Sequence, residues 1–291
     1  MQLPTACLLR TADNYTRPLA LATACSNISL STQAALIEEA TAAEVASLLD
    51  FGVLVLRWYM TWMAVDMCVR LGMWLGLPQL GPSSSTVHIE VRQTLVSVVH
   101  SLFSIGATIF LALKVDRPFG VDAALRHIPH QHVTQVGCAF FSYLLWDLVH
   151  IHWHRGVHKR NLVEASVHHS CFLIMMLVNQ GVLWFNYAFP VLYIGELSTV
   201  FLDARLLYRK FDMEEVWASA AFALTFAVTR IVLMGVLVVH LLSSYHEAFS
   251  LLGPMHRVSY LGGVPAMYCL NWFWFTKIVA AALKVKKPKA Q

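Results

Sequence analysis

The sequence has few charged residues. Asp, Glu, Lys and Arg make up 13% of its 291 residues, against roughly 25% in an ordinary soluble domain. Hydrophobic residues reach 57%, and the mean hydropathy is +0.58. This composition excludes a disordered chain and argues against a soluble enzyme. The net charge of +4 comes from basic residues that lie mostly between apolar runs, so it indicates membrane topology and no nucleic-acid partner.

Cysteines and processing signals are also scarce. Of the six cysteines, four fall in apolar runs, which leaves Cys7 and Cys25 as a pair that an oxidising compartment would join. Residues 1–45 lack the charged, apolar and small-residue succession of a signal peptide. They carry glycosylation sequons at Asn14 and Asn27, which favour a lumenal N-terminal segment.

What the sequence does have is long apolar runs separated by turn residues. They predict an all-α polytopic membrane protein, a helical bundle of six to seven transmembrane helices enclosing a polar, lipid-accessible cavity. The runs cover residues 48–77, 91–113, 133–153, 163–180, 183–206, 216–242 and 258–283. Each is long enough for a helix crossing a core of ~30 Å. Six spans are the alternative, because 163–206 must hold two helices with almost no loop.

Basic residues predict the orientation of these spans. A lumenal N-terminus places most of them in cytosolic segments, which favours a lumenal N-terminus and a cytosolic C-terminus. We expect an N-terminal segment at 1–45, a first span with its loop at 46–89, a membrane domain at 90–284 and a basic cytosolic tail at 285–291. Lys287 and Lys289 in that tail resemble a signal for return to the endoplasmic reticulum, although a positive anchor explains them equally well.

The third run carries its ionisable residues on one helical face. Tyr143, Asp147, His150, His154 and His158 are spaced four, three, four and four, which aligns them along one side of a helix. Ionisable groups inside a span are costly and usually face a polar interior. We therefore expect this face to line the cavity.

Other spans contribute further polar residues to the same expected cavity. They are His100, the adjacent His168 and His169, the stripe Glu196, Thr199 and Asp203, and then Arg230, Asn271 and Lys277. A carboxylate beside an imidazole suits general acid–base catalysis near neutral pH. The alternative for each residue alone is a hydrogen bond between helices. In the first span, Asp66 and Arg70 are four apart and predict an ion pair.

Five short blocks resemble the TLC domain, which ceramide synthases share with translocating-chain-associating membrane proteins and smaller TLC-domain proteins. The blocks are Ser97–Ser101 (SVVHS), Tyr143–Asp147 (YLLWD), His168-His169, Gly195–Arg205 (GELSTVFLDAR) and Leu270–Ile278 (LNWFWFTKI). They occur in the family's order over roughly 90–284, and the fourth and fifth are most like the smaller members. The resemblance implies a membrane bundle of six or more helices around a cavity that lipids can enter.

The resemblance also implies roles for individual residues. In ceramide synthases an acyl chain passes from coenzyme A to a sphingoid amine, and paired histidines are essential. Carried over, His168 and His169 are base or transient acyl acceptor, with Asp147, Glu196 and Asp203 as catalytic acids. The residues left to bind substrate are Tyr143, His100, His150, His154, Thr199, Arg230, Asn271 and Lys277. The ceramide synthases' H-D-x-x-D block reads differently here, with Glu196 and Thr199 at its acidic positions, which argues against ceramide synthesis itself.

Three functions therefore stay open at the level of sequence. The first is a lipid acyltransferase of the endoplasmic reticulum that uses acyl-CoA as co-substrate and no bound cofactor or metal. The second is a non-catalytic protein that binds membrane lipids on the same scaffold. The third is a di-iron hydroxylase, suggested by His154 with His158 and by His168 with His169. It lacks the remaining histidine boxes, since position 165 is alanine. Homo-oligomer formation is compatible with each.

Overall fold

The computed structural model describes residues 30–76, 86–113, 130–156, 162–179, 192–243 and 257–284. All regular structure within these ranges is helical, which confirms the all-α prediction. The predicted features at Cys7, Cys25, Asn14, Asn27, His158 and the C-terminal tail lie outside them.

The helices follow the predicted apolar runs closely. In chain order they are α1 (Leu30–Gly76), α2 (Thr86–Leu113), α3 (His130–Trp153), α4 (Leu162–Asn179), α5 (Glu196–Lys210), α6 (Val216–Phe226), a π-helical segment (Ala227–Leu233), α7 (Met234–Ser243), a second π-helical segment (Ser259–Gly263) and α8 (Val264–Lys284). Within the described ranges, four stretches are long and apolar enough to cross a membrane, namely Leu49–Gly76, Thr86–Leu113, Val216–His240 and Leu261–Leu283, and Leu162–Val178 is a shorter apolar helix. The protein is a polytopic all-α membrane bundle.

Two helices differ from the predicted runs in extent. Helix α1 begins at Leu30, well before the predicted start at 48, because the preceding residues are rich in the helix formers Ala, Leu and Glu. Helix α5 covers Glu196–Lys210, whereas the predicted run was 183–206. Residues 180–191 lie outside the described part, and a helical turn at 192–194 precedes α5.

The chain forms two compact units, Met1–Arg57 and Trp58–Gln291. The described part of the first unit is the N-terminal portion of α1. All of α2 to α8 belongs to the second unit, and so does every side-chain contact discussed below.

Polar contacts bring several helix ends together at one end of the second unit, which we call the charged end. Five contacts define it: Lys210 with Glu90, Arg205 with Glu215, Lys277 with Glu164, Arg92 with His150, and His152 with Ser166. They join the starts of α2, α4 and α6 to the ends of α3, α5 and α8. The stretches that these contacts join therefore alternate in direction, with α6, the π-helical segment and α7 counted as one continuous stretch.

The interior and the outer surface of the second unit have opposite character. A buried aromatic cluster contains Trp62, Val96, Phe140, Tyr143, Leu144, Trp146, Met176 and Tyr193. Large apolar side chains face outward on the predicted spans, among them Leu102, Ile109, Val228, Val232 and Val236. This distribution suits a protein whose surface contacts lipid and whose polar groups are paired inside.

Candidate functional site

Helix α2 presents a polar stripe to the interior. Arg92, Gln93, His100, Ser101, Ser104 and Thr108 are buried, and Ser97 lies between them at the same helical spacing. Residues three and four apart share a helix face, so the stripe reaches from the charged end toward the middle of the helix. Asp147 and Glu196 of neighbouring helices contact this stripe directly, through Gln93 and Ser101.

Asp147 is held between helices α2 and α4. Its Oδ1 accepts a hydrogen bond from Gln93 Nε2 at 2.7 Å, and its Oδ2 lies 3.4 Å from His169 Nδ1. The side chains of Asp147 and His169 are 9% and 13% exposed. A carboxylate this close to Nδ1 can orient an imidazole, which leaves Nε2 of His169 as the nitrogen that can act as a base.

The second histidine of the pair has different surroundings. The His168 ring meets Phe172 and Trp274 edge to face, with ring centroids 4.9 and 5.0 Å apart. Its Nδ1 has no hydrogen-bond partner among the described residues. The two adjacent histidines, which the sequence does not distinguish, therefore differ in surroundings. His169 lies beside a carboxylate, and His168 lies among aromatic rings.

A second carboxylate, Glu196, is paired with Arg230. Arg230 lies in the π-helical segment Ala227–Leu233, a local widening that often occurs at functional sites. Its Nη2 donates to Glu196 Oε1 at 3.3 Å and to Thr199 Oγ1 at 3.1 Å, and its Nε donates to Ser198 Oγ at 2.9 Å. Ser101 Oγ donates to Glu196 Oε2 at 3.4 Å. The protein itself therefore supplies partners to the guanidinium that the sequence assigned to substrate.

Asp203 belongs to a third polar group at the centre of the second unit. Asp203 is 5% exposed, and it lies on the same helical stripe as Glu196 and Thr199. The Tyr143 ring stacks on His100 with centroids 3.5 Å apart. Asp203 Oδ2 has no hydrogen-bond partner in the described ranges.

His150 lies in a separate charged network at the charged end. Arg92 Nε is 3.2 Å from Asp66 Oδ1, and Arg92 Nη2 is 2.6 Å from His150 Nε2. Because a guanidinium only donates, His150 Nε2 is the acceptor in this contact. Arg70 Nε donates to Asp66 Oδ2 at 3.0 Å, which confirms the predicted Asp66–Arg70 pair and shows that Arg92 shares it.

His154 follows the end of α3 in a turn, beside His150. The two ring centroids are 4.6 Å apart. Partial burial, with smaller contributions from the Arg92 and Arg70 charges, lowers the pKa of His154. His154 is therefore a neutral imidazole at physiological pH. His152, which the spacing places on the opposite face, is exposed.

The predicted residues of α8 divide between the interior and the surface. Asn271 is buried, and its Oδ1 has no hydrogen-bond partner within the described part of the chain. Lys277 is half exposed, and its Nζ lies 2.6 Å from Glu164 Oε1. Lys277 thus contacts a carboxylate at the start of α4, away from the polar stripe of α2.

Sequence reasoning missed several members of this arrangement. Gln93, Ser198 and Glu164 were not singled out, and Arg92 was counted only as a cytosolic charge. A usable signal existed for α2, because polar residues at helical spacing interrupt its apolar run. Glu164 gave no such signal, since a charge in the first turn of a helix is ordinary. In the described ranges, no group of three or more His, Cys, Asp or Glu side chains is placed to hold a metal ion.

Comparison with known families gives one match. A family model described as the TLC domain matches residues 90–280. This range includes all the residues of the site described above except Asp66 and Arg70 of α1. No curated protein and no solved structure matches the chain significantly.

Proposed function

The chain belongs to the TLC domain family and is an integral membrane protein related to membrane lipids; on that premise, we propose that it transfers an acyl group from acyl-CoA to an amine or hydroxyl of a membrane lipid. His169 acts as the general base. One observation carries this proposal, namely the contact between His169 Nδ1 and Asp147 Oδ2, with Gln93 holding the other carboxylate oxygen.

The contact suits this reaction for a physical reason. The acceptor's nitrogen or oxygen attacks the thioester carbonyl, and the proton that it loses passes to His169 Nε2. The C–S bond then breaks, and the imidazolium returns the proton to the departing thiolate, which leaves as free coenzyme A. A nearby carboxylate stabilises the imidazolium during this transfer. Removing water from the site strengthens that interaction, and here both side chains are largely buried.

The other predicted residues take supporting roles in the proposal. His168, whose Nδ1 has no partner in the described ranges, is the second candidate for direct action, as a transient acyl acceptor. Glu196 and Asp203 extend the acidic set, and Glu196 is also the anchor of Arg230. The proposed substrate contacts are Tyr143, His100, His150, His154, Thr199, Arg230, Asn271 and Lys277.

The proposal includes a location. We place the protein in the endoplasmic reticulum, with several membrane crossings and the charged end toward the cytosol. Acyl-CoA is water-soluble in its nucleotide part, so it would approach from that side, whereas a lipid acceptor would enter from the bilayer. Microscopy of the tagged protein against organelle markers tests the location.

Turnover by the purified protein is the direct test. The detergent-solubilised protein is incubated with long-chain acyl-CoA and a total lipid extract, while free thiol release and acylated lipids are measured. We expect both products from the wild-type protein and their loss in His169→Ala and Asp147→Asn. His152→Ala is the matched control, because His152 is an exposed histidine of α3 outside the site.

The same experiment decides between catalysis and binding alone. Free coenzyme A and one class of acylated lipid, made only by proteins that keep His169, support the transferase. Lipid that co-purifies selectively with the protein, with no thiol released under any condition, supports the non-catalytic alternative. Full turnover by His169→Ala contradicts the assigned base.

A further inference from the structure

Trp274 of α8 contacts two residues of α4 at once. Its Nε1 donates to Glu164 Oε2 at 3.2 Å, and its ring meets His168 edge to face, with centroids 5.0 Å apart at an interplanar angle of 70°. Glu164 and His168 are four residues apart, so they lie one above the other on the same face of α4. The indole therefore bridges successive turns of that face.

Both carboxylate oxygens of Glu164 have a partner on α8. Lys277 Nζ lies 2.6 Å from Oε1, while the indole N–H occupies Oε2. Lys277 and Trp274 are three apart on α8 and approach the same carboxylate from one face. The Lys277 ammonium also lies 4.3 Å from the centroid of the Phe273 ring, which limits its freedom.

His168 has no comparable polar restraint on its Nδ1. That nitrogen has no hydrogen-bond partner among the described residues, so ring contacts must set the rotation of the imidazole. Among the described residues, the ring contacts of His168 besides His169 are Phe172, on the next turn of α4, and Trp274. Phe172 belongs to the same helix as His168, so within the described part Trp274 is the ring contact that packing between helices controls.

We propose that Trp274, held by its hydrogen bond to Glu164, is a positioning residue that fixes the orientation of His168 beside His169. This inference rests on the proposed function for its catalytic consequence, but the orientation itself does not depend on turnover. Misplacing a reacting group by about 1 Å can reduce a rate on the order of a hundredfold. The Glu164–Lys277 pair then serves to hold the acceptor of the indole N–H in place.

Four variants separate the indole hydrogen bond from the ion pair. Glu164→Gln breaks the ion pair but keeps an oxygen that can accept from Trp274. Glu164→Leu removes both contacts. Trp274→Phe keeps an aromatic edge near His168 but removes the N–H. The double variant Glu164→Leu/Trp274→Phe tests whether the two side chains act through one contact.

Two quantities are measured for each variant, and its melting temperature in detergent is measured as well. The first is kcat for acyl transfer. The second is the rate at which diethyl pyrocarbonate modifies His168, measured by peptide mass spectrometry relative to the exposed His152 of the same molecule. We expect kcat to fall about tenfold or more in Glu164→Leu and Trp274→Phe, and the relative modification rate of His168 to change in both. Glu164→Gln should rescue most of each loss.

Several results would overturn the positioning role of Trp274. If Glu164→Gln is as defective as Glu164→Leu, the ion pair is what matters and the positioning role is overturned. An unchanged His168 modification rate in Trp274→Phe overturns it too, as does a double variant with losses that simply multiply. If the wild-type protein shows no turnover, the proposed function fails, while the modification rates still decide whether Trp274 orients His168.

Discussion

At the scale of the residue, a buried charge depends on its partners. The Arg92 side chain is 4% exposed and lies between Asp66 and His150. Removing one member of a buried ion pair costs about 3–5 kcal/mol when the other charge is left unpaired, but Asp66 keeps Arg70 as a second partner, so the cost here is smaller. We expect Arg92→Leu to lower the free energy of unfolding by less than about 3–5 kcal/mol, but by more than Arg70→Leu does.

Arg70 is the matched control for this prediction. It contacts the same carboxylate of Asp66, but its side chain is 52% exposed, and an exposed pair contributes only about 0–1 kcal/mol. Denaturant or thermal unfolding in detergent measures both variants. Equal losses for Arg92→Leu and Arg70→Leu would show that burial does not decide the energy of this network.

Gln93 permits a second prediction about a single residue. Its amide holds Asp147 Oδ1 at 2.7 Å, while the other oxygen faces His169. Gln93→Leu keeps the approximate volume but removes the donor, so the carboxylate is free to rotate away from His169. We expect acyl transfer to fall about tenfold, since correct orientation of a base contributes at least that much. Thr94→Val, a change of similar size on the next residue of α2, should have little effect on kcat.

At the scale of the element, the end of α5 is closed by a residue in a left-handed conformation. Asp212 has φ of 51°, and the adjacent Met213 N–H donates to Tyr208 O at 2.8 Å. Glycine adopts this conformation without the steric cost that a side chain brings. Asp212→Gly should raise the stability by roughly 0.5–1 kcal/mol, seen as a higher melting temperature. Asp212→Val should lower it, because a β-branched residue is strained at positive φ.

Close packing of α7 against α8 gives another prediction for an element. A Cβ built on Gly235 would lie 2.7 Å from Tyr268 Oη, which is too close for a real contact. Gly235→Ala should therefore be less stable than Gly106→Ala, whose Cβ meets nothing within 4 Å, by about 1–3 kcal/mol of overpacking. Adding Tyr268→Phe removes the hydroxyl and should restore most of the difference. No restoration would place the strain elsewhere.

Local periodicity explains why the elements were predictable and their pairings were not. The spacing of Tyr143, Asp147 and His150 defines a face of α3, because helix geometry depends only on neighbours in sequence. That Asp147 meets both Gln93 and His169 depends on how α2 and α4 are rotated and shifted along their axes. Shifts of this kind depend on close approaches between helices, such as Gly235 of α7 to Tyr268 of α8, and no repeat in the sequence encodes them. The same holds for Trp274, whose motif gave no partner.

At the scale of the whole molecule, the charged end permits a prediction of how the protein is oriented in the membrane. The starts of α2, α4 and α6 and the ends of α3, α5 and α8 meet there through five polar contacts. Basic residues are favoured on the cytosolic side of membrane proteins, and this end carries Arg155, Arg209 and Lys210. His168 lies one helical turn along α4 from Glu164, so the paired histidines lie close to this end of the second unit.

This arrangement predicts a cytosolic charged end with a lumenal N-terminal segment. In sealed microsomes, an epitope tag placed after Gln291 should be digested by added protease without detergent. A tag placed before Met1 should survive until detergent is added. Glycosidase should shift the mobility of the wild-type chain but not that of Asn14→Gln/Asn27→Gln. Protection of the C-terminal tag would reverse the orientation and would put the paired histidines out of reach of cytosolic acyl-CoA, so this single result also bears on the proposed reaction.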